Sequence, residues 1–212
     1  MVTTFNLVNW LLTTLVEAFV ACVFVIQGLS RKFLFLNLYF VLCVIFSVGR
    51  YVVISYRGLT SLEYASFYYA TDAVLTLALL MSIFQLGVQV MGNKWKVKLW
   101  SACVILAAGC FCFAALSSVT GRRAIFQLSE YVFFLCGFAI VWIWVLQLVS
   151  YQVDRITARL VRVLCVYFLL YFATVAAREL RPRAEFTGMN VLLAMMGAWL
   201  PLGCGFALVS QE

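Results

Sequence analysis

The sequence predicts an all-α integral membrane protein, a bundle of seven transmembrane helices with short connections, its N-terminus outside and its C-terminus cytoplasmic. Three observations carry that prediction. Hydrophobic residues make up 66% of the 212 and charged residues only 11%, with a mean hydropathy of +1.07, a balance that soluble domains of this length do not show. The apolar residues fall in runs of about twenty, the length that crosses a hydrocarbon core about 30 Å thick. Between the runs lie short polar turns, so no stretch is long enough for a separate soluble domain, and residues 1–212 read as one transmembrane domain.

The predicted spans are residues 7–29, 33–56, 66–91, 97–119, 126–151, 160–178 and 188–209. Runs this long without period-two alternation suit helices rather than membrane strands. The first follows MVTTFN, has no basic n-region, and reads as a retained helix. Turns one, three and five carry Arg31, Lys32, Lys94, Lys96, Lys98, Arg155, Arg159 and Arg162. Turns two, four and six carry Arg57, Arg122, Arg123, Arg181 and Arg183, with Arg178 at a helix end. Basic residues favour the cytoplasmic side, and all four lysines lie in the first set, which places that side inside. Trp95, Trp100, Tyr151 and the tyrosines between 51 and 69 fit interfacial belts.

All spans but the fourth offer one polar face. In the first, Asn6, Asn9, Thr13 and Glu17 recur at helical spacing, with Glu17 close to mid-membrane. The second aligns Cys43, Ser47 and Arg50, and the third Tyr68, Asp72 and Thr76. The fifth has Ser129 and Glu130 near its outer end. The sixth lines up Tyr167, Tyr171, Thr174 and Arg178, and the seventh begins with Asn190. A charge at membrane depth costs roughly 3 kcal/mol or more, so it faces a partner or a cavity rather than lipid. Arg50 and Asp72 flank one turn at similar depth, so Asp72 is the expected partner of Arg50, with Glu17 second and Glu130 third. The candidate site is the set that would converge there: Glu17, Arg50, Tyr68, Asp72, Thr76, Glu130, Tyr171 and Arg178.

Two spans carry small-residue stripes that let helices approach closely. The fourth has Ser101, Ala108, Gly109 and Ala115; the seventh has Ala194, Gly197, Pro201 and Gly205. Either stripe packs inside the bundle or meets another subunit or another copy of this chain.

The remaining chemistry is mostly negative. No histidine occurs, which removes histidine-ligated haem or metal and histidine general bases. The eight cysteines are scattered through the spans, without metal-ligand spacing, and read as small apolar residues. No phosphate-binding loop, nucleophile elbow or zinc-protease helix is present. The seventh span has no lysine for a retinal Schiff base. The basic turns lack the groove and aromatic interleaving of a nucleic-acid binder. No cofactor and no nucleic acid are expected; the expected partners are the lipid bilayer and a membrane protein. The reading is a non-catalytic, multi-pass protein of a bacterial cytoplasmic membrane, receptor-like or binding a ligand or partner through an outward-facing polar cavity. The alternative is an accessory or assembly subunit of a larger membrane complex. A small-solute transporter ranks third, because transporter helices are broken near the midplane and this chain has only Pro182 and Pro201.

Overall fold

The computed structural model describes residues 4–58, 60–92, 122–149, 153–180 and 199–209. Six helices and no strand lie among these residues. They are α1 (Thr4–Ile26), α2 (Leu34–Arg57), α3 (Leu62–Met91), α4 (Arg122–Val149) and α5 (Arg155–Leu180), followed by the shorter α6 (Trp199–Val209). The first five are each long and apolar enough to cross a membrane. The expected fourth span and the first half of the seventh lie outside the described residues.

Local chemistry sets the helix ends. The chain leaves α1 through Gly28 at φ 67°. Its N–H donates to the Val25 carbonyl at 3.0 Å, and the Leu29 N–H donates to the Phe24 carbonyl at 2.9 Å. That pair of bonds is a Schellman closure, whose left-handed residue is normally glycine. Helix α3 starts a turn earlier than its apolar run suggests, because the Ser61 hydroxyl caps it, accepting from the Tyr64 N–H at 3.1 Å. Helix α5 likewise starts at Arg155 rather than near residue 160. Asp154 precedes it, accepting from the Ala158 N–H through its carbonyl at 2.9 Å and from the Thr157 N–H through its carboxylate at 3.4 Å. Arg155, Arg159 and Arg162 therefore ride on the first turns of a helix rather than in a connection.

Side-chain contacts fix the direction of each helix. Gln85 and Gln89, near the end of α3, reach Lys32 in the α1–α2 turn. Lys32 also meets Asp154 at the start of α5, and Gln27 donates to the Leu208 carbonyl near the end of α6. All of these lie at one end of the bundle, here called the Lys32 end. Helices α3 and α4 pack side by side and in parallel. A Cβ added at Gly87 would stand 3.1 Å from the Ile143 Cδ1, and both residues lie about two turns or less from the ends of their helices. Helix α3 therefore ends at the Lys32 end, whereas α4 begins at the opposite one.

The core is continuous from α1 to α6. Phe24, Phe33, Phe40, Leu36, Ile83, Leu86, Ile140, Leu164, Phe168 and Leu208 are fully buried. Gly137 lets α4 and α5 approach, the rings of Phe168 and Phe172 covering the position that a Cβ would take. Outward, α1 presents Leu11, Leu12, Leu15 and Phe19, and α4 presents Phe134, Phe138, Trp142 and Val145. Helices apolar on both faces suit lipid on one side and packing on the other. Between such helices the hydrophobic effect is absent, so close van der Waals contact and interhelical hydrogen bonds hold the bundle.

Candidate functional site

A cavity of about 160 Å³ opens between α1, α2, α3, α5 and α6. Helix α1 contributes Thr13 and Glu17, and α2 contributes Tyr39, Cys43, Ser47 and Arg50. Tyr167 enters from α5, Leu75 from α3, and Leu200 with Pro201 from α6. The periodicity of α2 explains its share: Tyr39, Cys43, Ser47 and Arg50 follow at intervals of four, four and three, one face of a helix. Glu17 lies nine residues before the end of α1 and Cys43 nine after the start of α2. The two are thus level, about 14 Å from the turn that joins the helices. Arg50 sits about 10 Å further toward the opposite end.

Arg50 is held by α3. Its Nε and Nη2 donate to the Thr71 hydroxyl at 3.0 and 2.8 Å, and Nη2 reaches the Tyr68 carbonyl at 3.4 Å. The guanidinium also lies over the Tyr68 ring, 4.2 Å from its centroid, a favourable cation–π geometry. Gly49 makes room for this approach: a Cβ there would stand 2.9 Å from the Phe67 ring of α3. The expected partner, Asp72, is thereby replaced by Thr71. One residue along a helix is a rotation of about 100°, and the face of α3 turned to α2 carries Tyr68 and Thr71 at i and i+3.

Glu17 is held from the other side. The Cys43 thiol is its hydrogen-bond partner, and Tyr39 in turn bonds Cys43. Arg50 acts on Glu17 at longer range, without a salt bridge between them. A carboxyl and a guanidinium therefore face one space, each beside neutral groups and without a salt bridge between them. Above them, the Trp10 indole donates to the Ser47 hydroxyl at 3.3 Å and its ring lies 6.0 Å from that of Tyr51, locking α1 to α2 at this height.

No family model, curated protein or solved structure matches this chain. The site must therefore be read from its own geometry. Glu17 and Arg50 line the cavity, and Tyr68 joins them through its stack on Arg50. Asp72 and Thr76 sit next to this cluster on α3. Thr76 is buried, with its hydroxyl donating to the Asp72 carbonyl at 2.8 Å. Tyr171 packs on Phe133, ring centroids 4.7 Å apart, one turn from the cavity residue Tyr167. The side chains of Glu130 and Arg178 lie outside the described residues. Tyr39, Tyr167 and Thr71 were not singled out as site residues, and each had a signal. Tyr39 stands four residues before Cys43 on the polar line of α2, Tyr167 heads the line that contains Tyr171, and Thr71 is three residues after Tyr68.

A second polar cluster closes the Lys32 end. Lys32 Nζ and Asp154 Oδ2 are 2.8 Å apart, with both side chains about half exposed. The Lys32 carbonyl accepts from Gln85 Nε2 at 3.1 Å and from Gln89 Nε2 at 2.6 Å. Gln85 Oε1 accepts from the Phe35 N–H at 3.1 Å, and Gln89 Oε1 from the Thr157 hydroxyl at 3.1 Å. The hydrogen bond from Lys32 holds the Asp154 carboxyl below the usual carboxylate range. Cys22, Cys43, Cys136, Cys165 and Cys204 are free thiols, and of these Cys43 lines the cavity.

Proposed function

We propose that this chain binds a small polar ligand in the cavity between α1, α2, α3, α5 and α6, as a receptor-like protein of seven spans in a bacterial cytoplasmic membrane. The observation that carries the reading is the pair Glu17 and Arg50. A carboxylate and a guanidinium placed at membrane depth normally neutralise each other directly, because isolated charges there are costly. Here they share a space of about 160 Å³ and lean on a thiol, a threonine and a tyrosine ring instead. Such an arrangement has a use when something else completes the charge balance.

Seven spans are supported by direction: α3 ends and α4 begins at opposite ends of the bundle, so an odd number of crossings separates them. The lysine-bearing turns favour the Lys32 end as cytoplasmic and the Arg50 end as external. A reporter fused after Lys96 is expected to be cytoplasmic, and one after Arg123 external; the reverse at both sites would turn the cavity inward.

The ligand reading is tested by purifying the full chain in mild detergent beside Glu17→Gln. Small molecules released on denaturation are then compared by mass spectrometry. A compound enriched with the native chain and lost with Glu17→Gln is the expected result. No enriched compound, together with a stoichiometric membrane-protein partner, would instead establish an accessory subunit.

A further inference from the structure

We infer that the ligand is a small zwitterion, with one ammonium and one carboxylate on a skeleton of about five to seven non-hydrogen atoms, the ammonium seated on Glu17 and the carboxylate on Arg50. This rests on the ligand-binding reading above and names the chemical class. Three observations converge on it.

The first is sign. The cavity has one acidic and one basic wall group, Glu17 and Arg50, without a salt bridge between them. A lone cation would satisfy Glu17 but add charge beside Arg50, and a lone anion would do the reverse. In a low-dielectric site that added charge is expensive. A zwitterion satisfies both walls and leaves the total charge unchanged.

The second is donor geometry. Thr71 and the Tyr68 carbonyl engage Nε and Nη2 of Arg50. A guanidinium has five N–H donors in a fixed fork, and among the described residues none accepts from Nη1. One edge is thus used to hold the side chain, and further donors remain for a carboxylate. At the level of Glu17, the Tyr39 and Tyr167 rings also stand in the lining, and aromatic faces together with a carboxylate are favourable surroundings for an ammonium.

The third is size. An apolar cavity of about 150 Å³ accommodates benzene, so a space of about 160 Å³ admits a molecule of similar bulk. The two charged residues also lean toward one another. Helical side chains tilt toward the N-terminus of their own helix, and α1 and α2 are antiparallel, so Glu17 tilts toward the Arg50 end and Arg50 toward the Glu17 level. The charge separation of the ligand is then readable from a series of increasing length.

The test uses the full chain in lipid nanodiscs, with thermal unfolding followed by tryptophan fluorescence and binding by isothermal titration calorimetry. The probes are glycine, β-alanine and γ-aminobutyrate, with acetate and methylammonium as the two half-ligands. The expected result is that at least one zwitterion raises the midpoint and binds about a hundredfold more tightly than either half-ligand. Glu17→Gln is expected to weaken that zwitterion by a similar factor, as loss of one buried charge partner does. Gln89→Leu, at the Lys32 end and away from the cavity, keeps both charged groups and is expected to retain binding, which separates loss of the carboxylate from loss of the fold. Acetate or methylammonium binding as well as any zwitterion would overturn the zwitterion while leaving the cavity a ligand site. A folded chain that binds none of the five overturns the zwitterion and, with no co-purified compound, the ligand reading too.

Discussion

The two ends of the bundle use the same kinds of residue to opposite effect. At the Lys32 end, an ammonium, a carboxylate, two amides and a threonine hydroxyl consume one another's hydrogen bonds: Lys32 with Asp154, Gln85 and Gln89 with the Lys32 carbonyl, and Thr157 with Gln89. Toward the other end, Glu17 and Arg50 face a common space and are each anchored by neutral neighbours. Mutual saturation is what a structural cluster achieves, because each unmade hydrogen bond there would cost about 1–3 kcal/mol. Under the ligand reading proposed above, charges that line a space without closing on each other are held for a third group.

The sharpest way to break the comparison is at Arg50. Arg50→Met leaves the Glu17 carboxyl without a compensating cation at membrane depth and is expected to lower stability by roughly 3 kcal/mol or more. Arg50→Met combined with Glu17→Gln is expected to recover most of that loss while abolishing ligand binding. Unfolding in graded denaturing detergent, read by tryptophan fluorescence, measures both. If the double variant stays as unstable as the single, the two charges are not coupled through the cavity.

At the saturated end the effects are smaller. Gln89→Leu deprives the Lys32 carbonyl and the Thr157 hydroxyl of a partner and is expected to cost about 1–3 kcal/mol with no change in ligand binding. A loss of binding without a loss of stability would mean that this end also serves the site. Smallest of all is the Lys32–Asp154 pair, whose half-exposed side chains limit its worth to about 1 kcal/mol or less. Because the Asp154 carboxyl is held below its usual value of 3.8, its contribution is fully present above that value. It fades as pH falls through the lowered one. Asp154→Asn should therefore flatten the acid limb of a stability profile measured between about pH 2 and 5, and added salt should shrink the difference.

Much of the fold was legible because membrane helices announce themselves by length: the helices found at Thr4–Ile26, Leu34–Arg57 and Leu62–Met91 begin and end within about a turn of their apolar runs. Glu17 and Arg50 were legible for a related reason, since a charge inside such a run needs a partner or a cavity, whether for packing or for binding. The partner of Arg50 was not. Choosing between Thr71 and Asp72 requires knowing the rotation of α3 against α2, and neighbouring positions share depth while differing by about 100° in direction. Gln85 and Gln89 were passed over because a neutral amide inside an apolar helix costs little enough to be ignored by composition. Their spacing of four residues, ending beside a basic turn, was the available clue. Asp154 was hidden among Arg155, Arg159 and Arg162, where charge counting sees only a basic segment and misses the cap.

The parallel contact between α3 and α4 has a consequence for how the chain is made. Neighbouring antiparallel helices can join as hairpins while synthesis proceeds, but Gly87 meets Ile143 only after more than fifty further residues have been added. Until α4 arrives, Gly87 lacks the neighbour that Ile143 provides. The α1–α2–α3 unit can seat Arg50 on Thr71 early, and that contact precedes the cavity's last walls, Tyr167, Leu200 and Pro201. The nascent protein can thus dock its basic group before the pocket around it is complete.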